Sequence, residues 1–538
     1  MSDDLQHYDA DFVVIGSGFG GSVSALRLAE KGYKVVVLEQ GKRYERSDFP
    51  ETSWGLKKYL WMPRFGWGGI QAVSFFRHML VLHGRGVGGG SLVYANNLIH
   101  PPAQAFGEDE WGRADWVGRL EPHYVEARRM LGASPCEGLG RTDELLEQVA
   151  AEMPGSGTLR ASDVGVFFGE SGVEVADPYF GGEGPRRTGC TRCGACMIGC
   201  RVGAKNTLDR NYLWFAERLG VEIVPETRVT GIEPRDGGYT VHVRDPLRRD
   251  PGRRSWRAKQ VVVAGGVLGS VHLLLRSRDK GWLPDLSPRI GEFVRTNSEE
   301  LLVVESKDRT VDLGDHVAIT SGLQADADTF VEMVRLNRGS DVLFWLTAPL
   351  AGVSRLPQAV APLVAALSSI PRFLLGLWPF GRASRSAILL AMQPTEGHLS
   401  LVLQRRWLGL GRAVLKSELP IGEKPPAVRI PVAREIARRL AEKMNGTVWQ
   451  SLWIPFAGSP TTAHVLGGCR MSDTPDDGVV DRAGRVHGHR GLYVADGSVV
   501  PSNLGVNPSL TITALAEYIM AQVPGAGEAP TSAAPEDD

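Results

Sequence analysis

Residues 11–15, DFVVI, form a short apolar run that stops at Gly16-Ser17-Gly18-Phe19-Gly20-Gly21 and gives way to a helical stretch, SVSALRLAEKG. A second apolar run, YKVVVLE, then ends on Glu39. Strand, glycine turn, helix and strand with an acid about 20 residues on is the arrangement that binds a dinucleotide. Gly16 makes the tight turn, Gly18 lets the backbone approach a pyrophosphate, and Gly21 lets the helix lie against the sheet. The helix N-terminus then faces the phosphates, and Glu39 is placed to accept hydrogen bonds from the adenosine ribose. A chain that opens this way is expected to be α/β.

The far end of the chain favours FAD over NAD. GLYVADGSVVPSNLGVNPSLTITALAEYI contains a strand, Leu492 to Ala495, followed by Asp496-Gly497, a loop, and a helix opening near Pro508, where proline suits a first turn. An acid and a glycine at a strand end, ahead of another helix N-terminus, suit a flavin's ribityl chain and ring. A third stretch, HGRGVGGGSLVYANN, holds five glycines between Gly84 and Ser91. Its backbone can pass close to a flat ring or a phosphate, which makes Gly86, Gly88, Gly89, Gly90 and Ser91 candidate cofactor contacts.

Length and composition restrict the partners. At 538 residues two intimately packed domains are expected. A net charge of −1 and no basic clusters interleaved with aromatics argue against nucleic acid. The acidic N-terminus MSDDLQHYDADFVVIG lacks a secretory signal, so a cytoplasmic protein is expected. The small, polar residues 523–538 read as a disordered tail.

With these elements in place the sequence resembles the glucose-methanol-choline (GMC) flavoprotein oxidoreductases, most closely their cholesterol oxidase branch. The likeness is carried by VVIGSGFGGSVSALRLAEKGYKVVVLEQG, GRGVGGGSLVYAN, VVVAGGVLGS, HVLGGCRM and GLYVADGSVVPSNLGVNPSLTITALAE, in family order along nearly the whole chain. It implies an FAD-dependent oxidation of a secondary alcohol on a sterol-like substrate. His464 then resembles the histidine that hydrogen-bonds the substrate hydroxyl, and Asn507 the asparagine beside it. Glu332, in FVEMVRL, resembles the carboxylate that moves a Δ5 double bond to Δ4. Val229 becomes an adenine-side contact. The same chemistry follows from the reaction, because hydride transfer from an alcohol needs a positioned proton acceptor beside the flavin. A Glu332 desolvated among Phe330, Met333 and Leu336 would have a raised pKa.

The resemblance implies a discontinuous Rossmann-like FAD domain from 8–100, 190–300 and 455–522. A substrate domain, built on an antiparallel sheet with helices, would comprise 101–189 and 301–454. VEIVPETRVTGIE and QVVVAGGVLGS read as further strands of the first sheet, and HLSLVLQ and VLFWLTAPL as strands of the second. The apolar insert 348–381 is broken by prolines and too short for a transmembrane helix. It reads as a core hairpin of helices, a lid over an apolar channel, or a peripheral membrane contact, and the last two are preferred.

GCTRCGACMIGC puts four cysteines within eleven positions. Cys190, Cys193, Cys196 and Cys200 match the ferredoxin spacing C-x2-C-x2-C-x3-C, with Arg201 where proline usually follows. Three readings stand: an iron–sulfur cluster, a zinc site, or free thiols in a structural role. A cluster would make the chain a dehydrogenase or reductase that passes electrons to a protein or quinone. Cys136 and Cys469 read as buried packing residues.

Overall fold

The computed structural model describes residues 8–247, 254–350, 378–395, 397–405 and 413–528. Two seven-stranded sheets carry the fold. The first contains β1 (Ala10–Ile15), β2 (Val35–Leu38), β3 (Glu222–Val224), β4 (Arg228–Arg235), β5 (Gly238–Arg244) and β6 (Arg254–Val263) in the order β3-β2-β1-β6-β5-β4, and the strand Leu492–Val494 also pairs with β6. Valine and isoleucine fill β1, β2 and the end of β6 because both faces are covered, as in parallel sheets generally. Helices α1 (Phe19–Glu30) and α2 (Gly266–Asp279) follow β1 and β6 directly.

Register sets the site. Ile15 lies beside Leu38 and Val263, and Val263 beside Val494, all in parallel pairing. The residues that follow, Gly16, Glu39, Ala264 and Ala495-Asp496, therefore emerge together at the carboxyl edge of the sheet, where open α/β sheets bind ligands.

The second sheet is antiparallel. Its centre is β7 (Glu300–Ser306), β8 (Phe330–Val334), β9 (Ser386–Met392) and β10 (Gly446–Ser451), in the order β10-β7-β9-β8. Side chains alternate across it. Leu302, Val304, Val331, Met333, Ala387 and Leu389 pack against the helices Arg141–Ala151 and Pro431–Lys443, while Leu301, Val303, Val334, Ile388 and Leu390 face a cavity between the two sheets.

Three sequence readings need correction. HLSLVLQ does not join the second sheet. Ser400–Arg405 pairs with Ala413–Glu418 in a separate hairpin, and Leu399, Leu401 and Leu403 pack into the core of the first sheet. In VLFWLTAPL, residues Val342–Leu346 form a 3-10 turn and only Thr347–Pro349 is a strand, at the edge beside β10. Residues 523–528 belong to the packed chain: Val523 is buried, and Tyr33 donates a hydrogen bond to the Pro524 carbonyl at 3.0 Å. Of the insert 348–381, residues 351–377 lie outside the described residues.

A buried ion pair fastens the second sheet to the Arg141–Ala151 helix. Asp143 and Arg335 are both fully buried, and Arg335 donates to Asp143, which also accepts from the Gly140 amide at 2.7 Å and the Ser321 hydroxyl at 2.5 Å. Truncating one partner strands a charge, which costs ~3–5 kcal/mol. Urea titration should accordingly show Arg335→Ala less stable by that amount. The apolar double variant Asp143→Leu/Arg335→Met should lose less than the single.

Candidate active site

Sterics explain the glycines of the first turn. A Cβ on Gly16 would stand 2.3 Å from the Ala264 carbonyl, one on Gly20 1.7 Å from the Ala495 carbonyl, and one on Gly21 2.0 Å from the Gly16 carbonyl. Gly18 is different, with nothing within 4 Å of its Cβ position, so it opens onto the cavity. The first turn of α1 carries no acidic residue and no side-chain cap, which leaves its amides available to an anion.

The cavity runs from this turn to the face of the second sheet and encloses about 520 Å³. Gly16, Gly18, Glu39, Gly89, Gly90, Val229, Asp496, Gly497, His464 and Asn507 line it. Gly86, Gly88 and Ser91 stand behind its wall. There the Ser91 hydroxyl donates to the Gly88 carbonyl at 2.6 Å and accepts from the Leu208 amide at 3.0 Å. Gly21 likewise packs helix on sheet. Glu39 is buried and accepts from the Ser17 amide and hydroxyl at 3.1 and 2.8 Å and from the Gly41 amide at 2.8 Å.

Asp496 has a structural part. One carboxylate oxygen accepts from the Gly266 amide at 2.8 Å and the Ser270 hydroxyl at 2.5 Å, the other from the Ser498 amide at 2.8 Å and hydroxyl at 2.5 Å. It thereby ties the end of the Leu492–Val494 strand to the start of α2. Burial nonetheless holds its pKa above the usual carboxylate value.

FAD fits this cavity on the residues present. The uncapped helix end suits a pyrophosphate, Glu39 stands at the end of β2 where a ribose lies in such folds, and Arg85 lines the cavity with a buried Nε that has no partner.

At the other end His464, Asn97 and Asn507 line the cavity, and Glu332 is buried behind the two asparagines. His464 follows the short strand Thr461–Thr462, and its Nδ1 lies 2.5 Å from Glu299 Oε1. Glu299 Oε2 accepts from the Ala463 amide at 3.2 Å. With Nδ1 engaged, Nε2 is the ring nitrogen left for a ligand. Burial by itself would lower the His464 pKa, but the adjacent Glu299 charge and hydrogen bond outweigh it and hold it above its ordinary value.

Glu332 is fully buried on the cavity side of β8. It accepts from the Asn97 amide and, at 3.2 Å, from the Asn507 amide, while Asn97 also donates to Asn507 Oδ1 at 3.0 Å. Burial pushes the Glu332 carboxyl up to about 7, against the pull of the Asn507 bond, the His464 charge and the Asn97 bond. Asn507 thus lines the cavity with its amide committed to Glu332.

Sequence reasoning missed Glu299 and Asn97. The available signals were an acid, in NSEELLVVES, opening an apolar strand, and a second amide in YANN. Neither points to a partner without the fold. Cys136 and Cys469 are buried, and burial raises both thiol pKa values, that of Cys136 to about 12.

Residues 11–48 match the FAD binding domain family, and residues 185–286 and 431–516 match the two parts of the GMC oxidoreductase family. A cholesterol oxidase of Mycobacterium tuberculosis is 43% identical over 97% of this chain and 92% of its own. A cholesterol oxidase of Acinetobacter baumannii is 39% identical, over 97% and 95%. Among solved structures, pyridoxine 4-oxidase from Mesorbium loti superposes with a TM-score of 0.59 at 17% identity, covering 96% of this chain and 99% of that one, a likeness of fold.

Glu332 binds its proton more tightly folded than unfolded, so stability falls as pH rises from the unfolded value near 4.5 through about 7. Over that window the stability of Glu332→Gln relative to the native chain should shift in favour of glutamine by up to ~3 kcal/mol, measured by denaturant titration at pH 5 and pH 8.

Proposed function

The chain belongs to the GMC oxidoreductase family, FAD-dependent enzymes acting on CH–OH donors, and we propose that it oxidises the secondary hydroxyl of a sterol-like molecule to a ketone and then moves a Δ5 double bond to Δ4. The observation that carries this reading is the placement of two acid–base groups of different character at one end of an apolar cavity. His464 is held by Glu299, and Glu332 is buried with a pKa near 7. Leu301, Val303, Ile319, Val334, Ile388 and Leu390 line the same space, a surface suited to a bulky hydrocarbon skeleton. The cholesterol oxidase relatives support the substrate class.

When bound, FAD supplies the hydride acceptor. His464 Nε2 accepts the hydroxyl proton while Glu299 holds the imidazole by Nδ1 and stabilises the charge that forms. Asn97 lines the cavity, and its buried Oδ1, without a hydrogen-bond partner among the described residues, is a further acceptor at this end. In the second step Glu332 removes a proton from the carbon between carbonyl and double bond and returns it to the far carbon of that double bond. A carboxyl with a pKa near 7 is matched to both transfers.

The exposed Trp345, Trp378 and Phe380 cluster with Trp54, on which Phe380 stacks at 4.7 Å. They adjoin Leu343, Phe344 and Leu346 of the cavity wall, and we place a peripheral membrane contact there. Among the described residues no helix is long and apolar enough to cross a membrane. The cysteine loop favours a second reading of the electron outlet, a dehydrogenase serving a protein or quinone instead of oxygen.

Incubation with a 3β-hydroxy-Δ5 sterol should yield the conjugated enone. His464→Ala should lower kcat ~10²–10⁴-fold. Glu332→Gln should still oxidise the alcohol but accumulate the unconjugated ketone, and an unchanged enone yield from that variant would remove Glu332 from the isomerisation. Glu299→Gln should lower the His464 pKa seen in the kcat/KM profile.

A further inference from the structure

The four cysteines on the loop 190–200 line one small cavity, together with Val166, Ala204 and Val317. Left-handed backbone at Arg192 (φ 54°), Gly194 (φ 68°) and Gly199 (φ 93°) curls the loop around it. Backbone amides point at the sulfurs: the Arg192 amide lies 3.3 Å from Cys190 Sγ, the Gly203 amide 3.3 Å from Cys200 Sγ, and the Ala318 amide bonds Cys196. All four thiols are free of disulfides.

From this convergence we infer that Cys190, Cys193, Cys196 and Cys200 hold a [4Fe–4S] cluster. Amide-to-sulfur hydrogen bonds are a means by which proteins tune such clusters, and Cys190, Cys193 and Cys196 carry the ferredoxin spacing; Cys200, whose counterpart in two-cluster ferredoxins serves the second cluster, supplies the fourth thiolate from the same cavity wall. A single zinc would draw its sulfurs to ~3.8 Å apart at a Zn–S distance of ~2.3 Å. Among the described residues no three His, Cys, Asp or Glu side chains stand together as a metal-ion site; the four thiols line the cavity without closing on one point. A cubane keeps its thiolates farther apart and fills a cavity that the sulfurs merely line.

The site shares a wall with the cofactor cavity. Met197, next to Cys196, lines that cavity, as does Tyr94. Lys205 fastens the two together, donating to the carbonyls of Cys196 and Tyr94 at 2.8 Å each and to that of Leu92 at 3.1 Å. Cys193, by contrast, is exposed. The electron route that follows rests on the alcohol-oxidising reading, although the cluster itself does not. Each alcohol that becomes a ketone releases two electrons and two protons. The electrons leave singly through the cluster to a one-electron acceptor protein at the Cys193 surface, and the protons pass to water.

The test is iron, zinc and acid-labile sulfide analysis of the full chain purified without air, with and without reconstitution by ferrous iron and sulfide, plus electron paramagnetic resonance after dithionite. About four iron and four sulfide per chain are expected, with a rhombic or axial reduced-cluster signal. Cys196→Ser and Cys200→Ser should lose both while keeping bound flavin, the control for folding. Cys193→Ser, at the surface, should lower iron to about three or fewer. Flavin-loaded protein without iron after reconstitution, zinc in its place, or iron unchanged in the serine variants would each overturn the assignment. Because no substrate is used, the result is independent of the sterol reading.

Discussion

The approach of α1 to the carbonyls of Ala264 and Ala495 is the constraint on which the rest of the molecule depends. A Cβ at Gly16 or Gly20 would lie well inside contact distance of those oxygens, so the helix can start where it does only with glycine there. Its start sets where an anion sits, and the parallel register of β1, β2, β6 and the Leu492–Val494 strand brings Glu39 and Asp496 to the same edge. Asp496 then spends its acceptors on Gly266, Ser270 and Ser498, fixing the floor of the cavity.

At the opposite end two buried carboxylates, Glu299 and Glu332, have different neighbours. Glu299 pairs with an imidazole and accepts a backbone amide. Glu332 accepts from the amides of Asn97 and Asn507, neutral donors that together with the nearby His464 charge do not offset its desolvation. The second sheet supplies this contrast through its alternation, which turns Glu332 to the cavity together with Val334 while Val331 and Met333 face the helices.

Lys205 joins the cysteine loop to this arrangement. A buried cation donating to three carbonyls from two loops makes the wall between the thiols and the cofactor cavity a single rigid piece. Any group held by the cysteines is thereby kept beside the cofactor.

Much of the first sheet was legible because its signals are local: apolar runs of fixed length, glycines at fixed offsets and an acid at the next strand end. The second sheet was read less well. HLSLVLQ alternates like a strand of it, yet its leucines serve the other core, since alternation reports that one face is buried but not against what. Glu332 could be named from its apolar neighbours, whereas Glu299 and Asn97, about 165 and 410 residues from the groups they touch, could not. The sequence by itself determined the glycine turn, the strands around it and the residue types that can carry acid–base and thiolate chemistry, because these depend on backbone sterics and short-range order. Only the tertiary structure decided which of those residues meet, because pairing of a histidine with Glu299 or of a carboxylate with two distant amides is a matter of register and packing between segments far apart in the chain.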